Sequence, residues 1–405
     1  MAQHPFLKSI KPVNLLSFGP ETKEIELRPL NILIGPNGSG KSNFVEIVGL
    51  LKELTDKDPW STIVRTGGVD EWLWKGGRRG DSTAASPSIM VTFDPPEPGG
   101  PSNYYEIRLV KHAPTYSLHV FSEALGQIDA ATNQRMPFYV NRTPDSPDSA
   151  TVRSNVSHFS ISKAKALDVR LPILSQLVDV FNYPELYYFE QKIARFALYR
   201  DWVFGVDAEP RDPQSAGERT VFLEEDHRNL VHMLNVLRTG DHFGPRGRFK
   251  ELLHTFYDDA EDIEMELLGG RISFRLLEKS GWSTPASRLS DGTLRWLSLL
   301  AILLNPTPAP VTCLDEPELG LHPDILPTLA DLLVEASART QLIITTHSRS
   351  FLDSFTDTPE AVCVCEKVEG STVIQRLDRD RLKDWLEEYS LGKVWTRGEI
   401  GGNRW

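Results

Sequence analysis

The pattern of apolar and polar positions divides the chain into strand-like and helix-like stretches. Residues 6–34 hold two runs rich in strand formers around GPETK, which predicts a hairpin-like opening. After residue 42, apolar residues recur at helical spacing until the break at Asp58-Pro59, which predicts an amphipathic helix. The apolar positions of this helix are Phe44, Ile47, Val48, Leu51 and Leu54.

Further along, residues 88–125 read as strands, whereas residues 126–160 are polar and indicate a mobile excursion. Residues 161–260 have a helical texture, and residues 262–279 return to strands. No heptad pattern persists for three repeats, so no long coiled coil is expected. The pattern predicts an α/β protein with a mixed sheet, an N-terminal antiparallel β portion and a helical inserted lobe.

We therefore expect three parts: 1–160, 161–260 and 261–405. Composition is ordinary for a globular protein, with 40% hydrophobic and 25% charged residues among 405. No apolar run of about 18 residues or signal-peptide core is present, so we expect no membrane span and a cytoplasmic location. The net charge of −12 argues against a surface coated by nucleic acid but leaves room for local DNA contact.

The stretch GPNGSGKS follows an apolar run and precedes the predicted helix, and it fits the spacing G-x-x-x-x-G-K-[ST]. Glycine amides at a helix N-terminus can approach phosphate oxygens closely. Lys41 supplies a charge to the β- and γ-phosphates, and the Ser42 hydroxyl suits Mg²⁺. The candidate nucleotide-binding residues here are Gly35, Pro36, Asn37, Gly38, Ser39, Gly40, Lys41, Ser42 and Asn43.

Two later apolar runs also end in polar residues. The run VTCL leads into Asp315, which suits a Mg²⁺ ligand, and Glu316, which suits the orientation of an attacking water. The run LIITT leads into His347, which could sense a γ-phosphate. An alternative reading treats the acidic pair as a helix start and the histidine as structural. The preceding phosphate loop favours the catalytic reading, with Lys41, Glu316 and His347 as the catalytic candidates.

A fourth stretch, LSDGT, opens a strongly apolar helix. These four elements in this order resemble the ATP-binding cassette superfamily. LSDGT resembles the LSGGQ signature, LDEP resembles Walker B with its catalytic glutamate, and LGLHP falls at the D-loop. Walker A and Walker B lie 315 − 35 = 280 positions apart, which is unlike a transporter cassette. The chain is more similar to RecF/SMC-like ATPases and to bacterial AAA-family ATPases, including overcoming-lysogenisation-defect and anti-phage defence ATPases.

The resemblance implies an ABC-type P-loop ATPase head that uses ATP and Mg²⁺. In this superfamily the signature of one subunit closes over the ATP of another, which implies a homodimer or higher oligomer. The trans contacts would come from Leu289, Ser290, Asp291 and Gly292. Asp291 replaces a glycine of the family pattern, so its charge could weaken closure, or its side chain could point away as a helix cap.

The output implied by the resemblance is a DNA-directed process in defence or repair. Only 405 − 347 = 58 residues follow His347, so a nuclease or TOPRIM-type effector is expected to be a separate chain. The alternative is an ATP-regulated scaffold that holds and releases a partner protein. The tail LGKVWTRGEIGGNRW contains Val394, Trp395, Ile400 and Trp405, which predicts docking either on the chain itself or on a partner.

Overall fold

The computed structural model describes residues 6–76, 86–95, 100–112, 117–129, 131–143, 146–153, 158–160, 168, 171–217, 221–239 and 245–402. The strands in chain order are β1 (Leu7–Val13), β2 (Ile25–Glu26), β3 (Leu30–Ile34), β4 (Ser88–Phe93), β5 (Asn103–His112), β6 (Ser117–Ile128), β7 (Arg135–Thr143), β8 (Ser146–Arg153), β9 (His158–Ser160), β10 (Ala197–Tyr199), β11 (Gln214–Ser215), β12 (Ala260–Leu268), β13 (Arg271–Glu278), β14 (Ser283–Pro285), β15 (Val311–Asp315), β16 (Gln341–Thr345), β17 (Val362–Val368) and β18 (Ser371–Arg376).

The α-helices in chain order are α1 (Lys41–Glu53), α2 (Ser61–Arg65), α3 (Val69–Trp72), α4 (Pro184–Ile193), α5 (Leu230–Thr239), α6 (Pro245–Phe256), α7 (Asp291–Leu303), α8 (Leu326–Ser337), α9 (Arg349–Asp353), α10 (Arg379–Leu386) and α11 (Leu391–Arg397). The longest described helices, α1 and α7, have 13 residues each. This length agrees with the expectation that no long coiled coil is present.

The chain folds into two compact units, each assembled from separate parts of the sequence. The first unit consists of residues 1–196, 360–378 and 400–405, and the second consists of residues 197–359 and 379–399. The three-way division at residues 160 and 260 stays a prediction.

The first unit contains a large antiparallel sheet with the strand order β2-β1-β4-β5-β6-β7-β8-β9. The hairpin-like opening is confirmed only for β1 and β2, which pair antiparallel; β3 pairs instead with β17, in parallel. The mobile excursion expected at 126–160 is not what the described residues show, because β7, β8 and β9 extend the sheet there. Polar composition does not exclude strands, since ladder hydrogen bonds come from backbone groups that every residue carries, with proline lacking only the N–H donor.

A second set of strands in the first unit carries the predicted helix. All five residues of β3 are buried, as in a strand covered on both faces. β17 pairs with β3 in parallel and with β18 antiparallel. The helix predicted after residue 42 is α1, and its expected apolar face is buried through Phe44, Ile47, Val48 and Leu51. The buried strand and the buried helix face together fix the turn between them.

The second unit contains a parallel set of strands, β10-β15-β16. The apolar helices α7 and α8 accompany these strands, and most residues of α7 are buried. A separate antiparallel group contains β11, β12, β13 and β14, with β13 at its centre. This group confirms the strands predicted at 262–279.

The helical texture predicted for 161–260 is confirmed at α4, α5 and α6. The apolar recurrence from Ala166 to Tyr183 predicts a helix, but the described part of this run holds only a short 3₁₀ turn at Ile173–Ser175. Proline at 172 favours extended backbone before it, and the Asp179 carboxylate accepts hydrogen bonds from the Phe181 and Asn182 amides. These local contacts outweigh the apolar periodicity.

The helix of the tail, α11, docks on its own chain within the second unit. Leu391 and Val394 of α11 are fully buried, and Trp395 is 8% exposed. The Gly392 amide donates to Asp353 of α9 at 2.8 Å, and a Cβ at Gly392 would lie 2.5 Å from the Arg349 carbonyl. Trp405 lies outside the described residues. Helix α11 of the tail therefore packs against α9, the helix that follows His347, whereas the Gly402 amide donates to Glu366 of β17 at 2.8 Å.

Among the described residues, no helix is both long and apolar enough to cross a bilayer.

We predict that Trp395→Ala lowers the free energy of unfolding by about 3 to 5 kcal/mol, because it removes a buried aromatic side chain. Trp282 provides a matched control in the same unit, since it is 75% exposed. Trp282→Ala should change the unfolding free energy by no more than about 0.5 kcal/mol. Urea denaturation of both variants measures the difference, and equal midpoints would contradict the docking of α11.

Candidate functional site

The loop between β3 and α1 is shaped by glycines that tolerate no side chain. Gly35 has a φ of 149°, and a Cβ there would lie 2.3 Å from the Cys365 carbonyl. Gly40 has a φ of 102° and forms the N-cap of α1 in the left-handed region. Only glycine adopts both conformations readily, so the sequence GPNGSGKS folds here as a tight phosphate-binding type of loop.

Lys41 lies against this loop rather than in solvent. Its Nζ donates to the Gly35 carbonyl at 2.8 Å and to the Pro36 carbonyl at 3.1 Å. The residue is 5% exposed, and the Ser39 amide donates to the Pro36 carbonyl at 3.2 Å. The ammonium group is therefore held at the loop, where it would meet a phosphate group bound by the amides.

The residues of the loop fit a nucleotide phosphate with Mg²⁺. Ser39 Oγ is buried and has no hydrogen-bond partner among the described residues, so the loop holds a polar group still able to bond. Ser42 is exposed in the first turn of α1, and its hydroxyl is a hard oxygen ligand. Asn43 is half-buried in the same turn. The N-terminus of a helix of 13 residues adds favourable potential for an anion.

The acidic pair in the second unit lies at the carboxyl end of β15. Asp315 is opposite Thr345 of β16 in the parallel register, and the Thr345 hydroxyl donates to Asp315 Oδ1. Carboxyl ends of parallel strands meet at one edge of a sheet, which is where α/β proteins bind ligands. Asp315 is half-buried there, and its carboxylate is a suitable Mg²⁺ ligand.

Glu316 has a strained backbone that its neighbours maintain. Its φ is 47°, in the left-handed region that glutamate rarely adopts. Its amide donates to the Thr345 carbonyl at 3.1 Å, and its own carbonyl accepts from Arg295 Nη1 at 3.2 Å. Such strain costs about 1–3 kcal/mol and concentrates at functional sites. The bonds to Thr345 and Arg295 therefore hold the Glu316 backbone in this conformation.

His347 is brought to the Glu316 side chain. Its Nε2 lies 3.4 Å from Glu316 Oε1. The preceding residue, Thr346, donates its hydroxyl to Glu318 and accepts from the Ser348 amide at 2.9 Å. Burial raises the pKa of the Glu318 carboxyl, which is 6% exposed. The buried Glu318 carboxyl, two residues after Glu316, thus holds Thr346, the residue that precedes His347.

The LSDGT stretch begins α7, and its serine is the helix cap. Ser290 Oγ accepts from the Thr293 amide at 3.1 Å. Asp291 instead pairs with Arg211, with 2.6 Å between Oδ1 and Nη2. Asp291 is therefore not the cap, and its charge is partly balanced by a guanidinium group. The reading of Asp291 as a helix cap is therefore wrong, and the reading in which its charge weakens closure stays a prediction.

Arg211 is a buried residue that organises the start of α7. It is 9% exposed, and its guanidinium donates to the Leu289 carbonyl at 2.7 Å. It also donates to the Phe204 and Gly205 carbonyls, each at 2.9 Å. The signature stretch is thereby fastened to the loop that precedes β11. Gly292 leaves no room for a side chain, since a Cβ would lie 2.9 Å from the Gly320 carbonyl in the D-loop stretch.

Known proteins place these motifs in a family. The family model described as "AAA domain, putative AbiEii toxin, Type IV TA system" matches residues 30–155 and 181–353, more than half of the chain. The chain belongs to this AAA-domain family. Membership implies nucleotide binding, in agreement with the loop between β3 and α1. No curated protein matches the chain.

Solved structures show that this family member has the fold of an SMC head. An SMC head bound to the C-winged helix domain of ScpA matches with a TM-score of 0.54 at 13% identity, over 94% of this chain and 100% of that one. The Smc head with an extended coiled coil from Pyrococcus furiosus, bound to the C-terminal domain of ScpA, matches with a TM-score of 0.54 at 12% identity, over 95% and 99%. A Thermotoga maritima SMC head has a TM-score of 0.46 at 15% identity, over 92% and 99%. The first two confirm the predicted ABC-type head.

Two further residues that the motifs did not indicate, Arg295 and Trp202, contact the main chain of the acidic pair. Burial lowers the pKa of Arg295, whose guanidinium lies 4.9 Å from the centre of the Trp202 ring. Trp202 in turn donates to the Asp315 carbonyl at 2.7 Å. The signal available in the sequence was a tryptophan three residues after the short apolar run that ends at Tyr199, and such a pattern is too common to identify a residue that contacts Asp315.

A buried histidine lies next to these residues in the second unit. His227 is fully buried among the rings of Tyr199, Trp202 and Phe204, at centroid distances of 5.0 to 5.7 Å. Neither ring nitrogen has a hydrogen-bond partner among the described residues. Burial lowers the pKa of His227 from 6.5 to about 4, with Arg295 contributing in the same direction. The folded protein therefore keeps this ring neutral.

We predict that the burial of His227 makes the folding stability of this protein sensitive to acid. The unfolded chain binds a proton near pH 6.5 and the folded chain only near pH 4, so this stability is present above pH 6.5 and is lost as the pH falls towards 4. Between about pH 7.5 and about pH 5 the loss should reach about 2 kcal/mol. His227→Phe should reduce the pH dependence of the melting temperature.

His322→Phe is the matched control, since the side chain of His322 is 74% exposed. It should retain the full pH dependence of the parent protein. A wild-type slope in His227→Phe would show that other groups cause the acid sensitivity.

Proposed function

We propose that this chain is a Mg²⁺-dependent ATPase whose ATP-driven head dimerisation controls a DNA-directed process. The observation that supports the ATPase most is the contact between Glu316 and His347, 3.4 Å apart at the carboxyl ends of β15 and β16. The loop of Gly35 to Ser42 provides the matching phosphate-binding element. A pair able to orient water and a loop able to hold phosphate are the two requirements of phosphoryl transfer to water.

Each side chain has a role in this proposal. The amides of Gly38 and Gly40 hold phosphate oxygens, and the Lys41 ammonium balances charge on the β- and γ-phosphates. Ser42 and Asp315 each offer an oxygen ligand that would suit Mg²⁺, which supplies charge neutralisation when bound. The Glu316 carboxylate accepts a hydrogen bond from the attacking water and orients it. His347 donates to the γ-phosphate and keeps Glu316 in position.

Dimerisation is proposed from the start of α7. Leu289 is buried, whereas Ser290 and Asp291 are exposed, so these polar groups can face a second copy. The Arg211 guanidinium at 2.6 Å reduces the repulsion that Asp291 would exert on a γ-phosphate. ATP bound to one copy would then be contacted by Ser290 and Gly292 of the other copy. Because the ligand contacts only the closed state, it shifts the equilibrium towards the dimer.

The proposed output is anti-phage defence or DNA repair in the cytoplasm, with a separate nuclease or TOPRIM-type effector. The family description, a putative toxin of a toxin–antitoxin system, favours a role in cell defence over transport. Two of the similar SMC heads are bound to ScpA, which supports a protein partner. The second candidate is an ATP-regulated scaffold without action on DNA, and the net charge of −12 favours it.

We predict that Glu316→Gln binds ATP but hydrolyses it very slowly, because the amide cannot act as a base for water. Light scattering should then show a mass near twice 45.6 kDa with ATP and Mg²⁺ and the monomer mass without them. The double variant Glu316→Gln with Ser290→Arg should remain monomeric, since a bulky cation blocks the signature.

Lys41→Ala should abolish nucleotide binding without unfolding the chain and serves as the negative control. A mass independent of ATP would contradict ATP-driven dimerisation. Wild-type turnover in Glu316→Gln would contradict the role of Glu316.

We predict that duplex DNA raises the ATPase rate of the wild-type protein at low salt, and that this stimulation falls steeply as salt increases. Phosphate contacts release counterions, so their contribution decreases with the logarithm of salt concentration. Measuring turnover with and without DNA across a salt series separates the two candidates. A rate unaffected by DNA at every salt concentration would favour the scaffold.

A further inference from the structure

Thr372, at the start of β18, contacts the phosphate loop from the far end of the sequence. Its Oγ1 lies 2.8 Å from the Ser39 carbonyl, 333 positions away. Thr372 is 2% exposed and Ser39 is 1% exposed, so water does not compete for this bond. A buried hydrogen bond of this kind fixes the direction of the carbonyl.

The direction of this bond follows from the chemistry of its partners. A carbonyl oxygen can only accept, so the hydrogen bond to Ser39 uses the Thr372 hydroxyl proton. Thr372 Oγ1 also lies 2.7 Å from Ser17 Oγ, and there too the Thr372 hydroxyl is the donor, so its one proton is shared between two neighbouring acceptors. The main chain of Ser17 also accepts from the Thr372 amide at 2.7 Å. Thr372 is therefore held by its backbone and by its side chain, and it acts on the loop as a fixed point.

The fixed carbonyl determines where the next amide points. In a trans peptide the C=O and the N–H point in opposite directions, so a Ser39 carbonyl turned to Thr372 directs the Gly40 amide away from Thr372. A Cβ at Gly40 would lie 2.0 Å from Thr372 Oγ1 and 2.7 Å from Ser17 Oγ, which shows that these hydroxyls cover the outer side of the loop. The Gly40 amide thus faces the inner, phosphate-binding side.

The loop needs such an anchor because glycine at position 40 does not restrict this peptide. Rotation of the peptide between Ser39 and Gly40 changes ψ of Ser39 and φ of Gly40, and Gly40, with a φ of 102° and no side chain, adopts other φ values at low cost. A rotated peptide would present a carbonyl oxygen to a phosphate and repel it. The anchor excludes that state before any ligand arrives.

We propose that Thr372 is a positioning residue for nucleotide binding, which it supports by holding the Ser39 carbonyl so that the Gly40 amide faces the phosphates. The inference rests on the proposed function, because it assigns the loop to a nucleoside triphosphate. Thr372 acts by orienting the loop, because its hydroxyl donates to Ser39 and Ser17 rather than to the nucleotide itself.

The test is Thr372→Val, which keeps the shape of the side chain and removes the hydroxyl. Without the bond, the dissociation constant for ATP should rise about 10-fold. Because bound phosphates restore the loop conformation, kcat at saturating ATP should stay within about 2-fold of the wild-type value while KM rises. Thr372→Ser retains the hydroxyl and should restore binding to within about 2-fold.

Thr340→Val is the matched control. Thr340 is buried, donates to the Ala309 carbonyl at 2.7 Å and lies 3.3 Å from the Thr312 hydroxyl, so it repeats the hydroxyl–hydroxyl–carbonyl arrangement elsewhere. This variant should lose stability without losing ATP affinity. Equal weakening of ATP binding in both valine variants would mean general destabilisation and would overturn the inference.

Lys41→Ala, measured alongside, separates the inference from the function on which it rests. Wild-type protein that binds ATP no better than Lys41→Ala overturns the proposed function, and the inference with it. Normal wild-type binding with an unchanged dissociation constant in Thr372→Val overturns the role of Thr372 alone. Failure of Thr372→Ser to restore binding also overturns it.

Discussion

The candidate site depends on the orientation of the backbone amides and carbonyls in the loop between β3 and α1. A phosphate can be bound by main-chain amides if the carbonyls between them turn outwards, and each outward carbonyl must then find a donor. In the first unit, Lys41 satisfies Gly35 and Pro36, and Thr372 satisfies Ser39. The glycines permit this arrangement, whereas the surrounding donors select it. The buried strand β3 and the buried face of α1 provide the rigid ends between which it forms.

The same requirement explains the second unit, where the strained residue is a glutamate. Glu316 has no conformational freedom comparable with glycine, so its positive φ must be stabilised by neighbouring contacts. Arg295 holds its carbonyl, and Thr345 holds its amide. Arg295 itself loses solvation, which lowers its pKa, and it gains the face of Trp202. The support of Glu316 thus extends through Arg295 to the aromatic ring of Trp202.

The sequence was sufficient to predict what depends on neighbours along the chain. The loop between β3 and α1, α1 itself, the acidic end of β15 and the start of α7 each consist of consecutive residues, so their spacing carried the information. What it could not supply are partners far apart in sequence. Thr372 and Ser17 are 355 positions apart, and Arg211 and Asp291 are 80 apart. An isolated threonine or arginine has no local pattern, so only the folded chain shows which carbonyl it serves.

Misread regions have the same physical origin. Residues 126–160 were judged by polar side chains, although strand pairing uses backbone groups that composition does not reveal. At Asp291 the prediction likewise depended on the side chain alone. A carboxylate replaces the glycine of the family pattern, and its negative charge would repel a phosphate. A guanidinium that is nine-tenths buried already donates to several carbonyls, so a carboxylate beside it lowers the cost of that buried charge. The Asp291 carboxylate is therefore explained first by its ion pair with Arg211. That pairing reduces the negative charge that Asp291 would present to a phosphate.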